Sequence, residues 1–135
     1  MQKIKPHIIN LPKIKDLRGN LSFFESMNQL PFEIKRTYWI YDVPGGEIRG
    51  SHAFKTQQEF IVALSGSFDV VLHNGTVETI FSLNRSYYGL YIPNMLWRTM
   101  KNFSTNSLAL IVSNQIYADA DYIRDYNEFL KLPNE

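Results

Sequence analysis

The sequence predicts a mostly β domain, a sandwich or small barrel of short strands closed by one helix, on three observations. Runs of five to eight β-branched and aromatic residues recur along the 135-residue chain, broken by Gly, Pro, Asn and Ser. Apolar and polar residues alternate within these runs, as on a half-buried strand. Helical spacing of apolar residues is confined to the C-terminus.

Strands are expected at 34–41 (IKRTYWIY) and 59–64 (EFIVAL), both rich in residues that fit a pleated surface. In 67–73, Phe68, Val70 and Leu72 share one face while Asp69, Val71 and His73 share the other. Asn74-Gly75 then separates this strand from one at 76–83, and the pair predicts a hairpin with a type I′ turn, because both residues tolerate positive φ. Further strands follow at 87–92, 98–103 and 108–112. From Asp121 onward Tyr122, Ile123, Tyr126, Phe129 and Leu130 recur at helical spacing, which predicts a terminal helix with Asp119 or Asp121 as its N-cap.

Composition narrows the function. With 14 Lys and Arg against 13 Asp and Glu, the formal charge is +1, too little to argue for a nucleic-acid or membrane-surface partner. No cysteine is present, so disulfides, thiolate zinc sites and cysteine nucleophiles are excluded. The opening MQKIKPHIINLPKIKDLRG has no apolar run long enough for a signal peptide or a membrane span, and a single cytoplasmic domain over 1–135 is the expectation. Serine-nucleophile and phosphate-loop motifs are absent, since GGEIRG spaces its glycines differently from a dinucleotide fingerprint.

The informative stretch is GGEIRGSHAFKTQQEFIVALSG. Five residues separate Gly46 from His52, one separates His52 from Phe54, four lead to Glu59 and six more to Gly66. This spacing resembles the first motif of the cupin superfamily, with Phe54 in place of the second histidine. Pro93, Arg98 and Asn102 in PNMLWRTMKN have the separations of the second motif, with Arg98 in place of its histidine. The resemblance implies a cupin jelly-roll barrel. Of the four metal-binding positions only His52 and Glu59 keep a ligand; phenylalanine has no lone pair and a guanidinium repels a cation, so a metal-free, cofactor-free cupin is predicted. Phe54 also suits a simple packing role on an inward strand position.

A narrower resemblance covers nearly the whole chain. Asp16 to Leu21 (D-x-R-G-x-L), then PFEIKRTYWIYDVPGGEIRGSHAFK, GLYIPNMLW and the terminal YADADYIRDYNEF look like the sugar nucleotide 3,4-ketoisomerases. Those enzymes are metal-independent cupins that move the carbonyl of dTDP-4-keto-6-deoxyglucose from C4 to C3, towards deoxysugars of bacterial surface glycans. Membership would imply a homodimer with exchanged N-terminal strands and a dTDP-linked keto-deoxysugar as partner.

Such a shift needs a proton taken from the carbon α to the ketone, an enediol, and a proton returned at the neighbouring carbon. A neutral imidazole can carry the proton and a phenol can stabilise the oxyanion, which makes His52 and Tyr38 the candidate catalytic residues. His52 matches the first histidine of the family's R-G-x-H-A-H-K string, Arg49 and Lys55 match its flanking cations, and Phe54 matches the second histidine. Arg18, Arg36, Arg49, Lys55 and Arg98 are candidates for holding the diphosphate, with Glu59 among the binding groups. Tyr91 and Trp97 are candidate stacking faces for thymine. Two other readings fit the same residues: a catalytically silent sugar nucleotide binder lacking the second histidine, and a 3,5-epimerase-type cupin sharing the D-x-R-G motif.

Overall fold

The computed structural model describes residues 4–133. Its strands are β1 (His7–Asn10), β2 (Lys13–Ile14), β3 (Leu21–Ser22), β4 (Arg36–Tyr41), β5 (Arg49–Phe54), β6 (Glu59–Ser65), β7 (Phe68–His73), β8 (Glu78–Leu83), β9 (Tyr88–Ile92), β10 (Trp97–Lys101), β11 (Leu108–Ser113) and β12 (Tyr122–Ile123), followed by helix α1 (Tyr126–Leu130). One five-stranded sheet runs β1-β9-β6-β11-β4 and a second runs β12-β5-β10-β7-β8, every pair antiparallel. Strands β2 and β3 form a separate hairpin. No helix among the described residues is long and apolar enough to cross a membrane.

The alternation read from the sequence decides what lies between the sheets. Phe68, Val70 and Leu72 face inward and meet Ile61, Ala63, Leu90, Ile92, Ala109 and Ile111 from the opposite sheet in one buried cluster. The intervening residues Phe60, Val62, Tyr91 and Val112 point outward instead. They are covered by Leu11, Leu30 and Phe32 from the segments flanking β2 and β3.

All seven expected strands form, with ends shifted by a few residues. Strand β5, on which the sequence placed Phe54 without bounds, begins with the poor strand formers Arg49, Gly50, Ser51 and His52. Pairing along β10 holds it all the same, with an irregularity where Arg98 faces His52 but Met100 faces Arg49. Gly50 takes up that extra residue at a φ of +72°, a conformation that suits glycine.

Two local expectations are corrected. The β7–β8 loop spans residues 74–77, longer than a two-residue turn, and only Gly75 of the central pair has positive φ. Asn74 folds the loop with its side chain: its Oδ1 accepts from the Thr76 and Val77 amides at 2.9 and 2.8 Å. The C-terminal segment is not one helix from Asp121. Residues Asp119–Asp121 form a 3₁₀ turn, Tyr122 and Ile123 form β12, and the helix starts later, capped by the Asp125 carboxylate on the amides of Asn127 and Glu128. Pairing of Tyr122 with Phe54 and of Ile123 with Ala53 overrides the helical spacing.

Asp121 has a different role, tying β12 to the turn between β5 and β6. Its carboxylate accepts from the Thr56 amide at 2.9 Å, the Thr56 hydroxyl at 2.8 Å and the Gln57 amide at 3.0 Å. Asp121→Ala should destabilise the protein by about 2 kcal/mol in denaturant unfolding, the range for hydrogen bonds to a charged group. A loss below about 0.5 kcal/mol, as at an ordinary surface position, would show that the carboxylate does not hold this corner.

Candidate active site

The barrel interior is divided. Apolar side chains fill one end, whereas inward positions near the other end carry Arg36 and Tyr38 from β4, His52 and Phe54 from β5, Glu59 from β6, Arg98 from β10 and Tyr122 from β12. At the bottom of this polar end, Glu59 is fully buried and Arg98 is 2% exposed. Arg98 Nη2 forms an ion pair with Glu59 Oε1. The Tyr38 hydroxyl donates to Glu59 Oε2 at 2.6 Å, and Gln57 Nε2 donates to the same oxygen at 2.7 Å. Two carboxylate oxygens therefore receive three donors, the arrangement that buried charge requires.

This cluster fixes the protonation of its members. Burial and the neighbouring Glu59 charge push the Tyr38 phenol far above its ordinary range, so it stays protonated with its proton directed at the carboxylate. Burial opposes the charge on Arg98, but Glu59 and Tyr38 outweigh it and raise the guanidinium pKa. Arg98 also lies 5.0 Å above the centre of the Phe54 ring, a cation–π contact.

His52 sits above that layer. Its ring packs edge-on against Phe54 at 4.8 Å and against Tyr122 at 5.0 Å, and its Nε2 is buried with no hydrogen-bond partner among the described residues. Burial, then the charges of Arg98, Arg124 and Arg36, pull its pKa from 6.5 down to about 3. The imidazole is consequently neutral at pH 7, with a lone pair available to accept a proton. At the rim, Arg36 stacks on the Tyr38 ring at 4.7 Å and reaches the Tyr122 hydroxyl at 3.5 Å. Arg124 covers the outer face of Tyr122 at 4.1 Å and pairs with Asp119 at 2.9 Å.

The sequence-predicted residues divide accordingly. His52, Tyr38, Arg36, Glu59 and Arg98 come together in one cluster. Arg18 does not join them in this chain: it lies exposed between β2 and β3, paired with Asp16 at 2.8 Å. Arg49 and Lys55 are exposed at the two ends of β5. Tyr91 faces outward, bonded to Gln58 at 2.6 Å and packed against His7 and Phe32, and Trp97 faces outward against Tyr126 and Phe129. Neither aromatic is placed to stack on a ligand beside His52. Gln57, Tyr122 and Arg124 were missed. Tyr122 was hidden by the helical reading, although alternation of Tyr122 inward and Ile123 outward was present in the sequence.

Comparison with known proteins adds a third line of observation. Residues 4–134 match the family model described as FdtA: WxcM-like, C-terminal. The chain is 38% identical over 124 residues to a TDP-4-oxo-6-deoxy-alpha-D-glucose-3,4-oxoisomerase of Aneurinibacillus thermoaerophilus, covering 92% of this chain and 89% of that protein. It superposes on a 3,4-ketoisomerase from Helicobacter canadensis with a TM-score of 0.92 at 38% identity, covering 96% of this chain and 97% of that one. It also superposes on the TDP-quinovose 3,4-ketoisomerase WlaRB from Campylobacter jejuni with a TM-score of 0.90 at 42% identity, covering 94% and 98%.

The depressed His52 pKa has a consequence for stability. Between pH 6.5 and 3 the unfolded chain binds a proton at His52 that the folded chain refuses, so stability falls as pH drops through this window, by at most about 1.4 kcal/mol per unit for this group. Unfolding at pH 6.5 and 4.5 should show the wild type losing up to about 2 kcal/mol more than His52→Gln. Parallel losses in the two proteins would contradict the neutral, desolvated imidazole.

Proposed function

Because the chain belongs to the FdtA family of WxcM-like, C-terminal domains, we propose that it is a sugar nucleotide 3,4-ketoisomerase acting on a dTDP-4-keto-6-deoxyhexose in deoxysugar biosynthesis. The observation that carries this reading to the site is His52: it faces the barrel interior, is neutral, has no partner at Nε2 among the described residues and lies near three arginines.

The chemistry follows from those properties. A substrate diphosphate brings negative charge into a field set by Arg36, Arg98 and Arg124, and bidentate guanidinium contacts suit its oxygens. Its arrival also offsets the cations that depress the His52 pKa, which lifts the imidazole toward the range useful for a base. His52 then takes the proton from C3, and the electrons pass through the enediolate as negative charge grows on the C4 oxygen. The C3 hydroxyl proton passes to the C4 oxygen, and return of the carbon proton from His52 to C4 on the same face completes the shift, so a single base serves both carbons. Phe54 has no proton to exchange in this scheme; it desolvates His52 and orients its ring. Tyr38, committed to Glu59, positions the cluster rather than donating to substrate. Arg18, Arg49 and Lys55 are left as diphosphate-binding candidates contributed from the surface.

The active form is proposed to be a homodimer with exchanged N-terminal strands. Supporting it, the β2–β3 hairpin exposes Ile14, Leu17 and Leu21, and the outer face of β4 exposes Trp39 and Tyr41 at 58% and 61%. Exposed apolar groups of this density suit an interface better than solvent.

Incubation with dTDP-4-keto-6-deoxyglucose in D₂O, followed by NMR, tests the reaction. Label at C3 or C4 together with a new ketone is expected. Label at C5 would indicate an epimerase, and absence of exchange alongside dTDP affinity would indicate a silent binder. His52→Ala should lower turnover by at least about 10²-fold with dTDP affinity retained; undiminished turnover would remove His52 from the reaction.

A further inference from the structure

The β7–β8 loop, far from the polar end of the barrel, gathers three chemical functions around the side chain of Asn74. Asn74 Oδ1 accepts from the Thr76 amide at 2.9 Å, the Thr76 hydroxyl at 3.0 Å and the Val77 amide at 2.8 Å. Donors converging in this way on a carbonyl oxygen stabilise the oxyanion that forms when a nucleophile adds to its carbon. The nucleophile is next in the chain. The Gly75 amide N–H donates to His73 Nδ1 at 3.1 Å. A backbone amide can only donate, so Nδ1 presents its lone pair and the imidazole is placed as the base for that proton. Tyr126 from α1 steadies the imidazole, with its hydroxyl 3.3 Å from Nδ1 and the ring centroids 5.9 Å apart. Gly75, at a φ of +106°, has no side chain to screen its nitrogen.

We propose that Asn74 is a self-modification site, at which the folded loop converts the side-chain amide to a carboxylate with His73 as general base. The proposal stands independently of the isomerase reading. As His73 takes the Gly75 amide proton, the freed nitrogen adds to Asn74 Cγ, and the charge that develops on Oδ1 is received by the donors of Thr76 and Val77. Collapse of this adduct breaks the Cγ–Nδ2 bond. The proton held by His73 passes to the departing nitrogen, and ammonia leaves behind a cyclic succinimide. Water then adds to either imide carbonyl and opens the ring, giving aspartate or isoaspartate at position 74. His73 ends as it began, solvent water is consumed and nothing is oxidised or reduced. In the isoaspartate form the main chain runs through an extra methylene, which separates His73 from Gly75 and breaks the bond they share. Because the loop borders a cavity with Met95, Phe129 and Leu130, α1 is the neighbouring element that the change loosens.

Peptide mass spectrometry on full-length protein kept folded at neutral pH, beside the same protein unfolded in guanidinium chloride, tests this. The mass gain of amide-to-acid exchange at Asn74 should accumulate at least about tenfold faster in the folded chain. His73→Gln can still accept the Gly75 hydrogen bond but cannot take its proton, so it should slow the folded-state conversion by about tenfold or more and leave the unfolded-state rate unchanged. Folded wild type that converts no faster than the unfolded chain would show that the loop protects Asn74, and would overturn the proposal. An undiminished folded-state rate in His73→Gln would overturn it equally. Should that variant fail to fold, the wild-type comparison decides alone.

Discussion

The ion pair between Arg98 and Glu59 is the constraint on which the polar end of the barrel depends. Neither group reaches solvent, so each exists as a charge only because the other is there, and removal of one partner from such a pair typically costs about 3–5 kcal/mol. The remaining lone pairs of Glu59 recruit Tyr38 and Gln57, and the guanidinium caps the Phe54 ring. Side chains from β4, β5, β6 and β10 are thereby locked in one layer. The cation that meets the Glu59 carboxylate is covalently part of β10.

That layer sets the electrostatics of the space above it. Arg98 contributes to the field that keeps His52 neutral, and Phe54 removes the water that would otherwise favour imidazolium. Arg36 and Arg124 stand at the rim of the same space, over the Tyr38 and Tyr122 rings. Arg98 is balanced by Glu59 and Arg124 by Asp119, so the near-neutral net charge holds locally as well, with Arg36 resting on aromatic groups. In the proposed reaction, an anion bound beside these cations raises the basicity of the imidazole that they depress.

Much of this was legible in sequence. Strict alternation in Phe68, Val70 and Leu72 identified the core face, and the cupin spacing placed His52, Glu59 and Arg98 in one site before any coordinates. What was not legible depended on long-range pairing. Strand β5 is made of weak strand formers and exists because β10 and β12 flank it. Tyr122 and Ile123 fit helical spacing locally and are held extended by the same neighbours. Tyr91 and Trp97 were plausible stacking faces until the register turned both outward, and a shift of one residue reverses a strand's faces. Asn74 satisfied a hairpin rule through its side chain rather than its backbone.

Arg98 stands at the second-motif position where the cupin pattern carries a histidine, and the isomerisation proposed at His52 runs without a metal ion. Its most direct test is turnover of dTDP-4-keto-6-deoxyglucose by protein stripped with a strong chelator and verified free of transition metals. Unchanged kcat within twofold is the expected result. A loss greater than tenfold that a divalent cation restores would contradict it.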